Sequence, residues 1–237
     1  MRRLLLVTLG LTLTVALAGC DRSRENSVKT IRKLAGSEKA NRARKQTEMT
    51  MRNVITSWDE RTPLTLGLVA LDDVCIGGKG KEWFFPTGDD QYKIRCSMYV
   101  TAYFGAKPGN ISEVIEGILA AGDEDRGDIP FGHDFDYANR VVDYYRGKGG
   151  EPQGPGTGEP SQLFAAATLT LDWDQVRTNS KIRKTIEEPR ACEESEPPIR
   201  RCLREPKSMS VADIRQKFGM VFRLAFPVRD YFVVPKQ

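Results

Sequence analysis

The sequence predicts an α+β fold, most simply one antiparallel sheet with helices packed on one face and stapled by disulfides. Three observations predict it. Gln91–Gly105 and Leu163–Trp173 alternate apolar and polar residues, the period of a half-buried strand. Apolar residues at steps of three and four recur in several shorter segments, the period of a helix with one buried stripe. Four cysteines fall in two close pairs, Cys75 with Cys96 and Cys192 with Cys202. Runs of helices interspersed with strands, without a regular βαβ alternation, favour an antiparallel sheet over a parallel one.

Taken in order, residues 21 to about 35 are Arg, Ser, Glu, Asn and Lys with only Val28, Ile31 and Leu34 apolar, the composition of a mobile stalk. From Glu38 to Asp59, Ala40, Ala43, Thr47, Met51, Val54, Ile55 and Trp58 form a helical stripe, with Ser37 as N-cap and Pro63 as the stop. Thr65–Val74 is an apolar strand ending at Cys75 and a glycine-rich turn. Trp83, Phe84 and Phe85 follow, either packed under a disulfide or exposed as a patch. After the strong strand at Gln91–Gly105, Pro108-Gly109 breaks the chain. Asn110 and Glu113 then have capping-box spacing before a helix to about Ala121. A second helix runs from Asp136 to Arg146, and the glycine- and proline-rich 147–160 is a loop. Leu163–Trp173 reads as one strand, 174–207 as a charged, proline-bearing excursion, Ser210–Phe218 as a helix and Gly219–Val234 as one or two strands broken at Pro227. Each half carries a helix, a strong strand and a cysteine pair, the trace a degenerate duplication would leave, although no aligned identity supports one.

The N-terminus carries the most specific motif. Arg2 and Arg3 precede an uncharged apolar run from Leu4 to Leu17, which is shorter than the roughly 20 residues that cross a bilayer and suits a signal peptide. It ends in Leu17-Ala18-Gly19-Cys20, which resembles the lipobox of bacterial lipoproteins. The resemblance implies removal of residues 1–19 and a diacylglyceryl thioether on Cys20. It further implies a lipid-anchored basic tether over 20–36 and an extracytoplasmic domain over 37–237. More loosely, the layout beyond residue 20 resembles small lipoproteins of actinobacterial type, a resemblance that carries no activity and no catalytic residues to transfer. Its landmarks are the basic tether, the helix ending in Trp58, the cysteine-paired hairpin, Pro130-Phe131 and Tyr144-Tyr145-Arg146.

Charge is unevenly placed. Residues 21–50 hold nine Lys or Arg against four Asp or Glu, while 51–237 are slightly acidic. A basic stretch beside a lipid is attracted to anionic head groups or wall polymers, or is merely solvated. It has no interleaved aromatics, which disfavours nucleic acid. In an exported chain the four cysteines after Cys20 form an even set expected to be oxidised. Three pairings exist, and clustering favours Cys75–Cys96 and Cys192–Cys202. Neither pair has metal-binding spacing.

Only one histidine is present, His133, beside Asp134 and Asp136, with Asp123, Glu124, Asp125 and Asp128 upstream. Imidazole next to a carboxylate is the pairing a general base needs, so His133, Asp134 and Asp136 are the catalytic candidates. No nucleophile motif accompanies them. The acidic run departs from a calcium loop, with Gly127 and Asp128 where an oxygen ligand and a glycine belong. No metal or cofactor is therefore expected. The reading is a membrane-anchored, non-catalytic module binding an envelope protein or wall polymer. The alternative is a divergent hydrolase-like enzyme centred on His133.

Overall fold

In the computed structural model, residues 28–78, 91–150, 158–165, 169–177, 183–191 and 199–236 are described. The fold is α+β: seven strands make one antiparallel sheet, with five α-helices against it among the described residues. In chain order these are α1 (Val28–Ala35), α2 (Glu38–Arg61), β1 (Thr65–Gly77), β2 (Tyr92–Ala106), α3 (Ile111–Glu124), α4 (Asp136–Arg146), β3 (Gln162–Ala165), β4 (Leu169–Trp173), β5 (Ile199–Glu205), α5 (Val211–Phe218), β6 (Met220–Ala225) and β7 (Arg229–Pro235).

The strands run in the order β3-β4-β6-β2-β1-β5. The 15-residue β2 is the spine. One edge pairs with β1; the other pairs with β7 over Tyr92–Met98 and with β6 over Thr101–Ala106. Strands from both halves of the chain thus share one sheet. Even-numbered β2 residues from Met98 to Ala106 face the main core. There they meet Met51, Ile55 and Trp58 of α2, Ile115, Ile118 and Leu119 of α3, and Val141 and Tyr145 of α4. Burying each such side chain contributes about 1.5–3 kcal/mol.

Ser37 caps α2 by accepting from the Ala40 amide, as its position predicts. Cys75 and Cys96 lie opposite one another in the β1–β2 register and are disulfide-bonded, fully buried beneath α1 and the start of α2. Cys202 is disulfide-bonded, while Cys20, Cys192 and the Trp83–Phe85 aromatics lie outside the described residues.

Several elements differ from the sequence reading. Residues 28–35, expected within the stalk, form α1, because Ile31 and Ala35 fall four apart and bury onto Cys75, Ile94 and Cys96. The expected strand Leu163–Trp173 is a hairpin, β3 against β4, with Leu163 opposite Leu171. Asn110 sits at the start of α3 without a capping bond from its side chain, a 3-10 turn over Pro108–Asn110 having carried the chain in. The charged excursion contains β5, paired to β1 from Val69 to Cys75. Helices α1–α4 share one face, whereas α5 crosses to the other and packs Val211 and Ile214 on Leu68, Tyr103 and Val221. Gly105 makes room for the Phe218 ring there, and Gly67, at a bulge in β1, for Ile214.

Candidate functional site

His133 lies in the loop between α3 and α4, 38% of its side chain exposed. Its backbone amide and its Nδ1 both meet Asp123, at 3.0 and 2.5 Å, and its Nε2 lies 3.4 Å from Glu116. Asp123 and Glu116 are seven apart on α3, hence on one face two turns apart. The Asn139 side-chain amide donates to the His133 carbonyl at 2.6 Å and ties the loop to α4. The hydrogen bond to Asp123 holds the imidazole above its ordinary value, with partial burial opposing and Glu116 adding to the rise. The same bond holds the Asp123 carboxyl below its own.

The sequence placed Asp134 and Asp136 beside His133, but the fold pairs it with other carboxylates. Asp134 takes the Arg126 guanidinium, and Asp136 is the first residue of α4. Asp125 takes Arg61 and accepts from the Gly127 amide at 3.1 Å. Among the described residues no group of three or more His, Cys, Asp or Glu is arranged to hold a metal ion. With a carboxylate at each ring nitrogen, His133 donates at both when protonated and forms a strut between α3 and its own loop. A general base needs an unshared lone pair facing substrate.

A different site lies on the sheet face that α5 leaves uncovered. A groove of about 540 Å³ is floored by Ala70, Asp72, Tyr99, Thr101 and Tyr103. The register explains it: Asp72 pairs with Tyr99, Ala70 with Thr101 and Leu68 with Tyr103, so odd-numbered β2 residues and their β1 partners line one face. β5 adds Arg200, Cys202 and Arg204, the alternate residues of an edge strand, and β6 adds Arg223. The segment Glu187–Arg190 stands over this face as one wall, and Val228 is part of the lining.

The groove's charges are largely arranged in advance. Arg200 donates from Nε and Nη2 to the two oxygens of Asp72 at 3.0 and 2.6 Å. Arg223 donates through the same two nitrogens to Asp172 Oδ2 at 3.1 and 2.6 Å, with Lys184 3.6 Å from Oδ1. Arg204 donates to the Pro189 carbonyl, and Glu188 accepts from the Ala212 amide at the start of α5. Burial pushes the Tyr103 phenol up to about 12, so it stays protonated, while Tyr99 is 40% exposed. The surface so formed offers an aromatic face and several planar hydrogen-bonding groups of both signs. Cys202 is disulfide-bonded, and no histidine lines the groove.

The groove's arginines were missed at the sequence level because they sit in a segment with little apolar alternation. The signal available was the step of two in Arg200, Cys202 and Arg204, which puts them on one side of any strand. No protein-family model matches the chain, and neither a curated protein nor a solved structure resembles it.

Proposed function

We propose that this chain is a lipid-anchored extracytoplasmic module, held by Cys20, that binds a polyhydroxylated envelope ligand of saccharide type in the groove on the bare sheet face. The observation that carries the reading is the pairing of Arg200 with Asp72, both lining the groove with the exposed ring of Tyr99, while the buried Asp172 holds the Arg223 guanidinium in the same lining. Guanidinium–carboxylate pairs present donors and acceptors without a large net charge, which suits vicinal hydroxyls better than it suits a polyanion. A half-exposed tyrosine supplies a flat apolar surface for the C–H face of a sugar ring. The volume falls within the range of small-ligand sites, about 300–1,000 Å³. The hydrolase reading centred on His133 has less support, since both ring nitrogens face carboxylates and no nucleophile adjoins them.

The test has two arms. Calorimetric titration of the mature chain with soluble glycan fragments of the cell wall should give saturable binding, weakened about tenfold by Tyr99→Ala. Undiminished binding by that variant, or none by the wild type, rejects the groove. For the anchor, mass spectrometry should find Cys20 diacylglycerated, and Cys20→Ser should release the protein from membranes. A bare thiol rejects that half of the proposal.

A further inference from the structure

Resting on the anchored reading above, we infer that the outward faces of α1 and the first turns of α2 form a membrane-facing pole that seats the domain on anionic lipid. The acidic end of the α3–α4 layer then points away from the bilayer. On α1, Ile31 and Ala35 are taken up by the sheet, which leaves Lys29, Arg32 and Lys33 on the opposite, exposed side. The start of α2 adds exposed Lys39, Arg42 and Lys45. The one carboxylate between residues 28 and 46 is Glu38, 2.6 Å from Arg42. Arg44 does not count toward this surface, because it points inward to the buried Asp73 at 2.7 Å.

Helix α2 fixes the distance between opposite charges. Its 24 residues span about 36 Å. At its far end Arg61 meets Glu124 and Asp125, and the Trp58 indole donates to the Asp128 carbonyl at 2.9 Å. Residues 123–136 there carry Asp123, Glu124, Asp125, Asp128, Asp134 and Asp136 against Arg126 and His133. Among the described residues, α1 and the start of α2 are therefore basic and the α3–α4 loop at the far end of α2 is acidic. Seven residues separate Cys20 from Val28, eight Cα–Cα steps with a reach of at most about 28 Å, so the basic pole can touch the head groups. The attraction decays over a Debye length of about 8–10 Å, so it acts on the pole in contact and scarcely on the other. Lipid is the assigned partner rather than a wall polyanion because the leash ends in the bilayer.

The experiment uses the mature-length chain carrying Cys20→Ser, unlipidated, sedimented with vesicles of phosphatidylcholine alone or with about one-third phosphatidylglycerol. Binding is expected to the anionic vesicles only, and to vanish at high salt. Lys29→Gln, Arg32→Gln and Lys33→Gln should each weaken it about fivefold, and together about a hundredfold. Asp134→Asn and Asp136→Asn should not weaken it. Equal binding to neutral vesicles, indifference to the triple substitution, or retention by soluble polyphosphate but not by anionic vesicles overturns the assignment. This measurement does not involve the lipid on Cys20, so an unmodified native Cys20 removes the anchored reading separately. A failed vesicle titration alongside a lipidated Cys20 removes only the seating.

Discussion

His133 shows what a single side chain does when a carboxylate faces each of its ring nitrogens. Its imidazole is bracketed by Asp123 and Glu116, with Arg126 3.7 Å from Asp123 and Arg146 3.3 Å from Glu116 completing the ring of charges. The folded value of His133 lies above the ordinary 6.5, so its contribution is fully present below that pH and is lost as pH rises through the raised value. Asp123 lies below its ordinary 3.8, so its contribution is present above that pH and is lost in acid. The two overlap between about pH 4 and 6.5. His133→Gln should therefore lower the urea midpoint slightly at pH 5.5 and not at pH 9. The effect is small because the pair is solvent-exposed and screened. A midpoint difference that is flat in pH would show that the imidazole acts only by shape.

At the scale of elements, the parts of the fold that were legible are those whose burial is one-sided. β2 alternates in burial from Tyr92 to Tyr99, both of its faces being buried from Val100 on, and α4 matches its expected limits because Gly147 closes it in the left-handed conformation, φ 72°. β5 was not legible: it is an edge strand in which Arg201 interrupts the apolar face of Ile199 and Leu203, and Arg200 and Arg204 fill the other. The β3–β4 hairpin was misread because both strands keep the same parity through the turn, so alternation alone cannot reveal the reversal. The groove went unseen for a related reason, since its residues come together only through the register of β5, β1, β2 and β6. The crossing of α5 to the second face left a better trace, a glycine next to the C-terminal end of the strongest strand. Gly105 has no room for a methyl group, because its Cβ would enter the Phe218 ring. Gly105→Ala should cost about 1–3 kcal/mol by forcing α5 off the sheet, read as a lowered urea midpoint. Phe218→Ala added to it should recover part of that loss, and failure to do so would locate the strain elsewhere.

For the whole molecule, the sheet separates a large core under α1–α4 from a smaller one under α5, and one carboxylate joins the pieces of the second. Asp174, at the end of β4 and 2% exposed, accepts from Arg215 Nε and Nη2 at 2.9 and 3.0 Å. It also accepts from the Ile186 amide at 2.7 Å and the Val221 amide at 2.9 Å. It thereby binds α5, β6 and the segment that leads into the groove wall at Glu187–Arg190. Asp174→Asn keeps the volume but offers one acceptor oxygen in place of two, which strands part of the guanidinium and at least one amide. The expected loss is about 2–3 kcal/mol, the range for hydrogen bonds to a charged group left unmade. Because the wall and α5 share this joint, faster amide exchange should appear together at Ile186 and across α5. The Cys75–Cys96 end of the sheet, covered from the opposite face, should keep its protection. Loss of protection at both ends would mean that the two cores open as one unit and that the groove wall has no independent motion.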